Sequence, residues 1–490
     1  MANAHKSFVY FSNTITSIRR EILHIVQCNE EQLPVTYLGL PLITKRLTKT
    51  NCSPLVERIT ARTNSWVNKS LSFAGRLQLV NSTLASMQTY WCNTFLLPIC
   101  TIKDCEWILR TFLWGGPGRG KVKWDDVCKP QEERGLGIKA ARIWNKALLM
   151  KQIWNLLLAQ SLWAKWCHAY LIRGVSFWML PVRGLLSWSW RQLLLLRPLV
   201  CRHLKYMCGN GERFSLWYDP WLHGESVHAL YGHRVIYDTG LGTSARVKDI
   251  LREGEWCWPQ VSSDLIEIQQ RVQQIPLSTA PDAIFWGRPG ELFTTSKAWH
   301  DIRPRSSVVA WHSLVWHPYR IPKHAFILWL ALRGAHRTRD KLVATGVIQS
   351  ASCVFNCGEM ETATHLFFTG PYSARVWVDV LALCNVERTV LPWDEEIQWL
   401  LAHSRGPKFP ETVRKLALAA TVNHVWLERT RRCFSNQFLP HQVLVQRVRR
   451  DVVGKLSTGN NAKQYEHHHS ICVNWGITMN DVMASGVHGP

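Results

Sequence analysis

A mainly α-helical fold with small β elements, of the α+β class, is what this 490-residue sequence predicts, and three observations carry it. Apolar residues recur at helical spacing through two long tracts, Leu55 to Leu97 and Lys139 to Tyr170. Between about residues 207 and 300 the texture changes to glycine-bearing turns beside short apolar runs, the pattern of small strands. The composition is 47% apolar with 26 tryptophans, enough for a packed core and too apolar for a disordered chain.

In the first tract Ile59, Trp66, Leu71, Leu77, Val80 and Leu84 mark the apolar positions. The run Gly115-Gly-Pro-Gly-Arg-Gly120 then breaks any regular element. It lacks the Gly-x4-Gly-Lys-Ser/Thr order of a phosphate-cradling loop, so it reads as a turn or hinge. In the second tract Ile143, Ala147, Met150, Ile153, Trp154, Leu157 and Leu158 share one face, and Trp154, Trp163 and Trp166 read as core and interface residues. Gly209-Asn-Gly211 reads as a turn into a strand over Arg213–Tyr218, and Gly287-Arg-Pro-Gly290 as a turn into a second strand over Glu291–Thr295. Helix resumes at Ser296, and again after Pro322 with Phe326, Leu328, Trp329 and Leu332. The last hundred residues are helical and basic, with Arg429, Arg431, Arg432, Arg447, Arg449 and Arg450 close together. These arginines suit either a solvated face or contact with phosphates.

Fifty-eight Lys and Arg against 35 Asp and Glu leave a formal charge of +23. Such an excess favours a polyanionic partner, RNA or DNA, through phosphate contacts and counterion release. No uncharged apolar run reaches the ~18 residues of a membrane span; even Ala147–Ile172 carries Lys151 and Lys165. Nothing in the pattern suggests a small-molecule substrate. The 15 cysteines are scattered, as in reduced intracellular thiols, so a nuclear or cytoplasmic place is expected.

One stretch carries metal chemistry. Structural zinc takes four Cys or His donors in a tetrahedron, the first pair separated by two to four residues. Cys353 and Cys357 have that spacing, and His365 follows as a third donor. The triplet His467-His-His469 is a weaker, isolated set.

Around this stretch stand Trp311-His-Ser-Leu-Val-Trp316, Ile321-Pro-Lys-His-Ala-Phe-Ile-Leu-Trp329, Thr338-Arg-Asp-Lys-Leu342, Glu361-Thr362, His365-Leu-Phe-Phe368, Pro371-Tyr-Ser373 and Trp377. Together they resemble the zinc-binding domain of plant non-LTR (LINE-type) retrotransposon reverse transcriptases. Lys6-Ser7, Phe11-Ser12 and Leu33-Pro-Val-Thr-Tyr-Leu-Gly-Leu-Pro41 look like the end of that family's polymerase domain. Trp66, Leu71-Ser-Phe-Ala-Gly-Arg76, Phe112-Leu-Trp-Gly115 and Gly135-Leu-Gly-Ile138 look like its helical connection.

The resemblance implies five segments. Residues 1–54 are a remnant of the polymerase domain's end and 55–200 a helical thumb and connection. Residues 201–304 are a linker of short strands, 305–385 a degenerate zinc-binding domain, and 386–490 a basic helical tail. It implies zinc as the cofactor, but a site weakened or lost. The family reads Cys-x2-Cys, His, then Cys five residues on, which puts the second cysteine at Asn356 and the fourth ligand at Gly370. Cys357 then stands in for position 356, and water or a remote thiol such as Cys384 completes the tetrahedron. The family's catalytic aromatic-x-Asp-Asp hairpin would lie before Lys6. Asp125-Asp126 falls in the connection and reads as a solvated turn, and Asp379, Asp394, Glu395 and Asp451 lack the strand context of a nuclease quartet.

The expected function is that of a non-catalytic fragment that retains nucleic-acid binding, with Lys323, Arg333, Arg337, Arg339 and Lys341 around the finger as phosphate contacts. The alternatives are an accessory part of an RNA-directed DNA polymerase completed in trans, or a reading frame with no selected function.

Overall fold

The structure is a computed structural model that describes residues 8–477 except 12–13, 32–34, 44, 68–69, 119, 185, 436 and 458–466. Lys6, Ser7, Ser12, Leu33 and Pro34, part of the amino-terminal motifs, lie outside the described residues. Helices dominate, and among the described residues every sheet is a two-stranded pairing. The mainly α reading with small β elements therefore holds. The chain divides into two compact units, one of Met1–Arg62, Ala85–Glu106 and Ala141–Pro304, the other of Thr63–Leu84, Trp107–Ala140 and Arg305–Pro490.

In the first unit the helix Ala141–Leu158 is the hub, with Ala85–Cys92, Trp188–Cys201 and Thr295–Ile302 packed on it. Apolar positions on several of its faces are buried, which is why its pattern is broader than a single stripe. Asn145, fully buried, accepts from Leu97 N and donates to the carbonyls of Cys92 and Phe95, all at 2.8 Å. It thereby satisfies the turn after Ala85–Cys92, whose carbonyls would otherwise be stranded in the core. The strands Leu204–Met207 and Ala283–Trp286 pair antiparallel. Beside them tryptophans carry the core: Trp221 stacks on Trp256 at 5.2 Å, and Trp217 meets Trp258 edge-on at 6.0 Å.

In the second unit the 27-residue helix Phe409–Ser435 runs through the centre, flanked by Pro322–Leu332, Pro371–Leu383 and His441–Leu456. Pro322 and Pro371 each open a helix, where a missing N–H costs nothing. Phe326, Trp329, Phe367, Phe368 and Trp377 are at most 1% exposed. Each such side chain contributes about 1.5–3 kcal/mol by burial.

The expected helix starts at Ser296 and Pro322 fall on observed helices, Thr295–Ile302 with its Thr294 cap and Pro322–Leu332. Two expectations need correction. The strands precede the glycine turns instead of following them. Residues 213–218 form turns with a single bridge, Ser215 to Arg246, because the N–H groups of Arg213 and Phe214, like those of Gly209 and Gly211 before them, go to the buried Asp282 carboxylate and Ser215 N goes to Asp219. Likewise Trp286 N bonds Glu291 O, which closes the 287–290 turn after the strand. Second, Trp163 and Trp166 are 38% and 50% exposed; only Trp154 of the three is core. Ala159, at φ +54°, ends the hub helix, and the next helix, Leu162–Cys167, starts on a new axis.

Candidate metal centre

A tight loop sets the first two donors. Cys353 N donates to Glu359 O at 2.8 Å, Asn356 N to Cys353 O at 3.2 Å, and Ser352 and Met360 form an antiparallel bridge. Asn356 and Gly358 take left-handed backbone, φ +57° and +84°, which supplies the curl. The third donor, His365, opens a π-turn over His365–Thr369 on a floor of buried Leu366, Phe367 and Phe368. Its carbonyl accepts from Gly370 N at 2.8 Å and from Ser373 Oγ at 3.3 Å.

The sulfurs of Cys353 and Cys357 and an imidazole nitrogen of His365 all lie within 4.8 Å of one another. Cys357 Sγ stands 3.0 Å from His365 Nε2. Zinc bonds of ~2.3 Å to sulfur and ~2.0 Å to nitrogen set tetrahedral donors about 3.5 Å apart, so the pair needs to open by only about half an ångström. Glu359 Oε2 lies 3.0 Å from His365 Nδ1 and turns Nε2 toward the sulfurs, the outer carboxylate arrangement that orients metal-bound imidazoles. Burial pushes the Cys353 thiol up to about 12, partly offset by the Phe355 N–H on its sulfur, with Cys357 adding to the rise. A bound cation is what reverses such a shift. These residues suit a zinc ion held by three protein donors.

Cys357 stands in for position 356 as expected, whereas Cys384 does not join the donors. Gly370 caps the helix Pro371–Leu383 at φ −67°, and a Cβ there would stand 3.1 Å from His365 Nε2. The fourth position thus faces the donor cluster. Asn356 is exposed and left-handed, and Cys357 already occupies the donor place expected of it. Cys384 caps the far end of the 13-residue helix Pro371–Leu383, about 20 Å along its axis at 1.5 Å per residue. It is buried beside Trp475 and lies outside the donor group, so it does not close the tetrahedron.

Of the five basic candidates, Lys323 and Arg337 are exposed. Arg333 pairs with Asp126 at 2.9 Å, Arg339 donates to Ser352 O at 2.7 Å, and Lys341 reaches the carbonyls of Gly334 and His336. Of the tail arginines, Arg429, Arg431 and Arg432 serve buried carboxylates, whereas Arg449 and Arg450 are exposed. Arg429, 6% exposed, donates twice to the fully buried Glu361, at 3.1 and 3.0 Å. Arg431 and Arg432 pair with the equally buried Glu428, and Arg449 donates to Trp475 O at 2.7 Å. Buried carboxylates need such partners, and that need overrides the solvated reading. Asp126, read as part of a solvated turn, sits in the short helix Trp124–Val127; Lys129 foremost, then Arg333, holds its carboxyl below the usual range. Glu359 escaped the sequence reading, and Glu361 entered it only within a motif, with no role assigned. The signal for Glu359 was its place between the second cysteine and the histidine.

Residues 293–377 match the family described as zinc-binding in reverse transcriptase. The chain is also similar to a putative ribonuclease H protein of Arabidopsis thaliana, 30% identical over 365 residues, which is 70% of this chain and 58% of that protein. An uncharacterized mitochondrial protein of the same plant is 28% identical over 147 residues, 29% of this chain and 96% of the other. The chain thus spans little more than half the length of the first relative.

Proposed function

We propose that this chain, a retrotransposon-derived protein related to reverse transcriptases, binds RNA or DNA through phosphate contacts and has no polymerase activity of its own. The observation that carries the reading is the donor cluster Cys353, Cys357 and His365, inside the matched segment, on a chain of net charge +23. Zinc held there would fix the 353–359 loop against the turn of His365. Lys323 and Arg337, on the same unit and exposed, are the side chains assigned to phosphates. The motif order within the sequence favours the non-LTR, LINE-type class, and the plant relatives are in keeping with it.

Polymerase and nuclease chemistry both need carboxylates gathered around metal ions. Asp126 is engaged by Lys129 and Arg333, and among the described residues the groups of three or more possible donors that converge hold at most one carboxylate. This supports assigning neither activity to the present span. Among the described residues no helix is long and apolar enough to cross a membrane. The test is binding to fluorescent single-stranded RNA and DNA across a salt series, with primer extension run beside it in Mg²⁺ and Mn²⁺. Salt-sensitive binding without chelator-sensitive nucleotide incorporation is expected. Incorporation by the chain alone, or no binding at low salt, would overturn the reading.

A further inference from the structure

A second donor cluster lies in the same unit as the finger and takes nothing from it. His324 comes from the helix Pro322–Leu332, His424 from Phe409–Ser435 and Asp451 from His441–Leu456. The three ligand atoms lie within 4.8 Å of one another. His424 Nε2 stands 2.8 Å, and His324 Nε2 3.4 Å, from the same carboxylate oxygen, Asp451 Oδ2. The imidazoles are 5% and 8% exposed at the side chain, and the carboxylate 25%.

As a hydrogen-bonded group this is incomplete. The 3.4 Å separation is long for a bond to a carboxylate. Nδ1 of His324 is buried with no partner among the described residues, so nothing there fixes the proton on Nε2. As a ligand set it is complete in kind. Two imidazoles and a carboxylate are the protein donors of open zinc sites and of the two-histidine, one-carboxylate sites of other divalent ions. Bonds of ~2.0–2.1 Å put tetrahedral donors about 3.3 Å apart, between the two separations observed. Three packed helices supply the donors, which gives a precision that a loop site lacks.

We propose that His324, His424 and Asp451 form a second metal site, which takes a divalent transition ion of the zinc and cobalt type and leaves a coordination position open. The site differs from the finger in having no sulfur. Lys323 and Arg447 lie close enough to act on the His424 charge, and Arg450 Nε stands 3.6 Å from Asp451 Oδ1. These cations oppose the ion, and the second site is the weaker of the two.

The experiment is a Co²⁺ titration of the full chain followed by absorption. Thiolate–cobalt charge transfer in the near ultraviolet reports the finger, and weak visible bands report both sites. With Cys353→Ser and Cys357→Ser together, one equivalent of Co²⁺ is expected to remain, seen in the visible without the charge-transfer band. Adding Asp451→Asn, nearly isosteric, is expected to weaken that equivalent at least tenfold while circular dichroism is unchanged. His324→Leu, which keeps the core position apolar, serves as the second variant if the asparagine impairs folding. Loss of all Co²⁺ binding in the double cysteine variant would overturn the proposal. So would a remaining equivalent unaffected by Asp451→Asn or His324→Leu, which would place the ion elsewhere, as at His467–His469.

Discussion

Two curled loops, one in each unit, are held by opposite means. Residues 209–214 wrap around Asp282, 5% exposed, whose two oxygens accept four backbone N–H groups at 2.7 to 3.3 Å. A Cβ at Gly209 would stand 2.0 Å from Ala280 O, so the loop also depends on that glycine's bareness. Residues 352–360 have no such carboxylate at their centre. One bridge, a few backbone bonds and the stack of Phe355 on Tyr372 at 4.6 Å close them, and two sulfurs face a histidine. The first loop carries its own organiser within the chain. The second gathers three groups that could serve as metal donors, Cys353, Cys357 and His365, beside the aromatic floor.

Removing each organiser separates the two cases. Asp282→Ala strands four N–H groups in a buried place, each worth about 1–3 kcal/mol unmet. With partial relaxation, a loss of about 4 kcal/mol in denaturant melts is expected. Less than about 1 kcal/mol would show that the carboxylate does not hold the loop.

Acid comes next in size, and it acts on the second unit. Burial, foremost, lowers His336 to about 3 and His317 to about 4. Lys121, Lys341 and Arg429 add to the effect on His336, against the Ile327 carbonyl, and Lys415, Arg320 and Lys455 add to that on His317. A depressed histidine is neutral in the fold and protonates first in the unfolded chain. Its contribution is therefore present above the unfolded value of about 6.5 and is lost as pH falls toward the folded one. At about 1.4 kcal/mol per pH unit for each group, some 3 kcal/mol should go between pH 6.5 and 5. Denaturant midpoints at the two pH values check it, and His336→Phe should flatten the slope.

The smallest expected effect is that of chelation. Because Phe326, Trp329, Phe367, Phe368 and Trp377 already pack the floor, EDTA should lower the melting temperature of the full chain by no more than about 3 °C. A larger drop would mean that the metal, and not the aromatic core, holds the finger.

Much of this was legible from local pattern. The helix starts expected at Ser296 and Pro322 rest on signals within one turn of chain, and the observed helices begin at Thr295 and Pro322. What was not legible depends on partners far apart in sequence. Residues 213–218 read as a strand until Asp282, some seventy residues on, takes the N–H groups of Arg213 and Phe214 at its start. Arg429 reads as surface until Glu361, 68 residues away, needs a counter-charge. His324, His424 and Asp451 come from three helices, and no spacing announces them. At the finger, residue counting placed Gly370 well, because the π-turn and helix cap fix its distance from His365. Cys357 stands in for position 356 because one added residue in the loop is absorbed by left-handed backbone at Asn356.

The central claim is that the finger keeps three donors and that Gly370 marks the place of the fourth. Zinc titration against a chromophoric chelator tests it on the parent chain, Gly370→Cys and Asn356→Cys. A Cβ at 370 stands 2.7 Å from His365 O, so the backbone must yield slightly. Even so, a fourth thiolate should raise affinity tenfold or more, since ~10–16 kcal/mol is shared among four donors in closed sites. Asn356→Cys, exposed and on the outer side of the curl, should change it less than twofold. An equal gain from Asn356→Cys, or none from Gly370→Cys, would contradict the account.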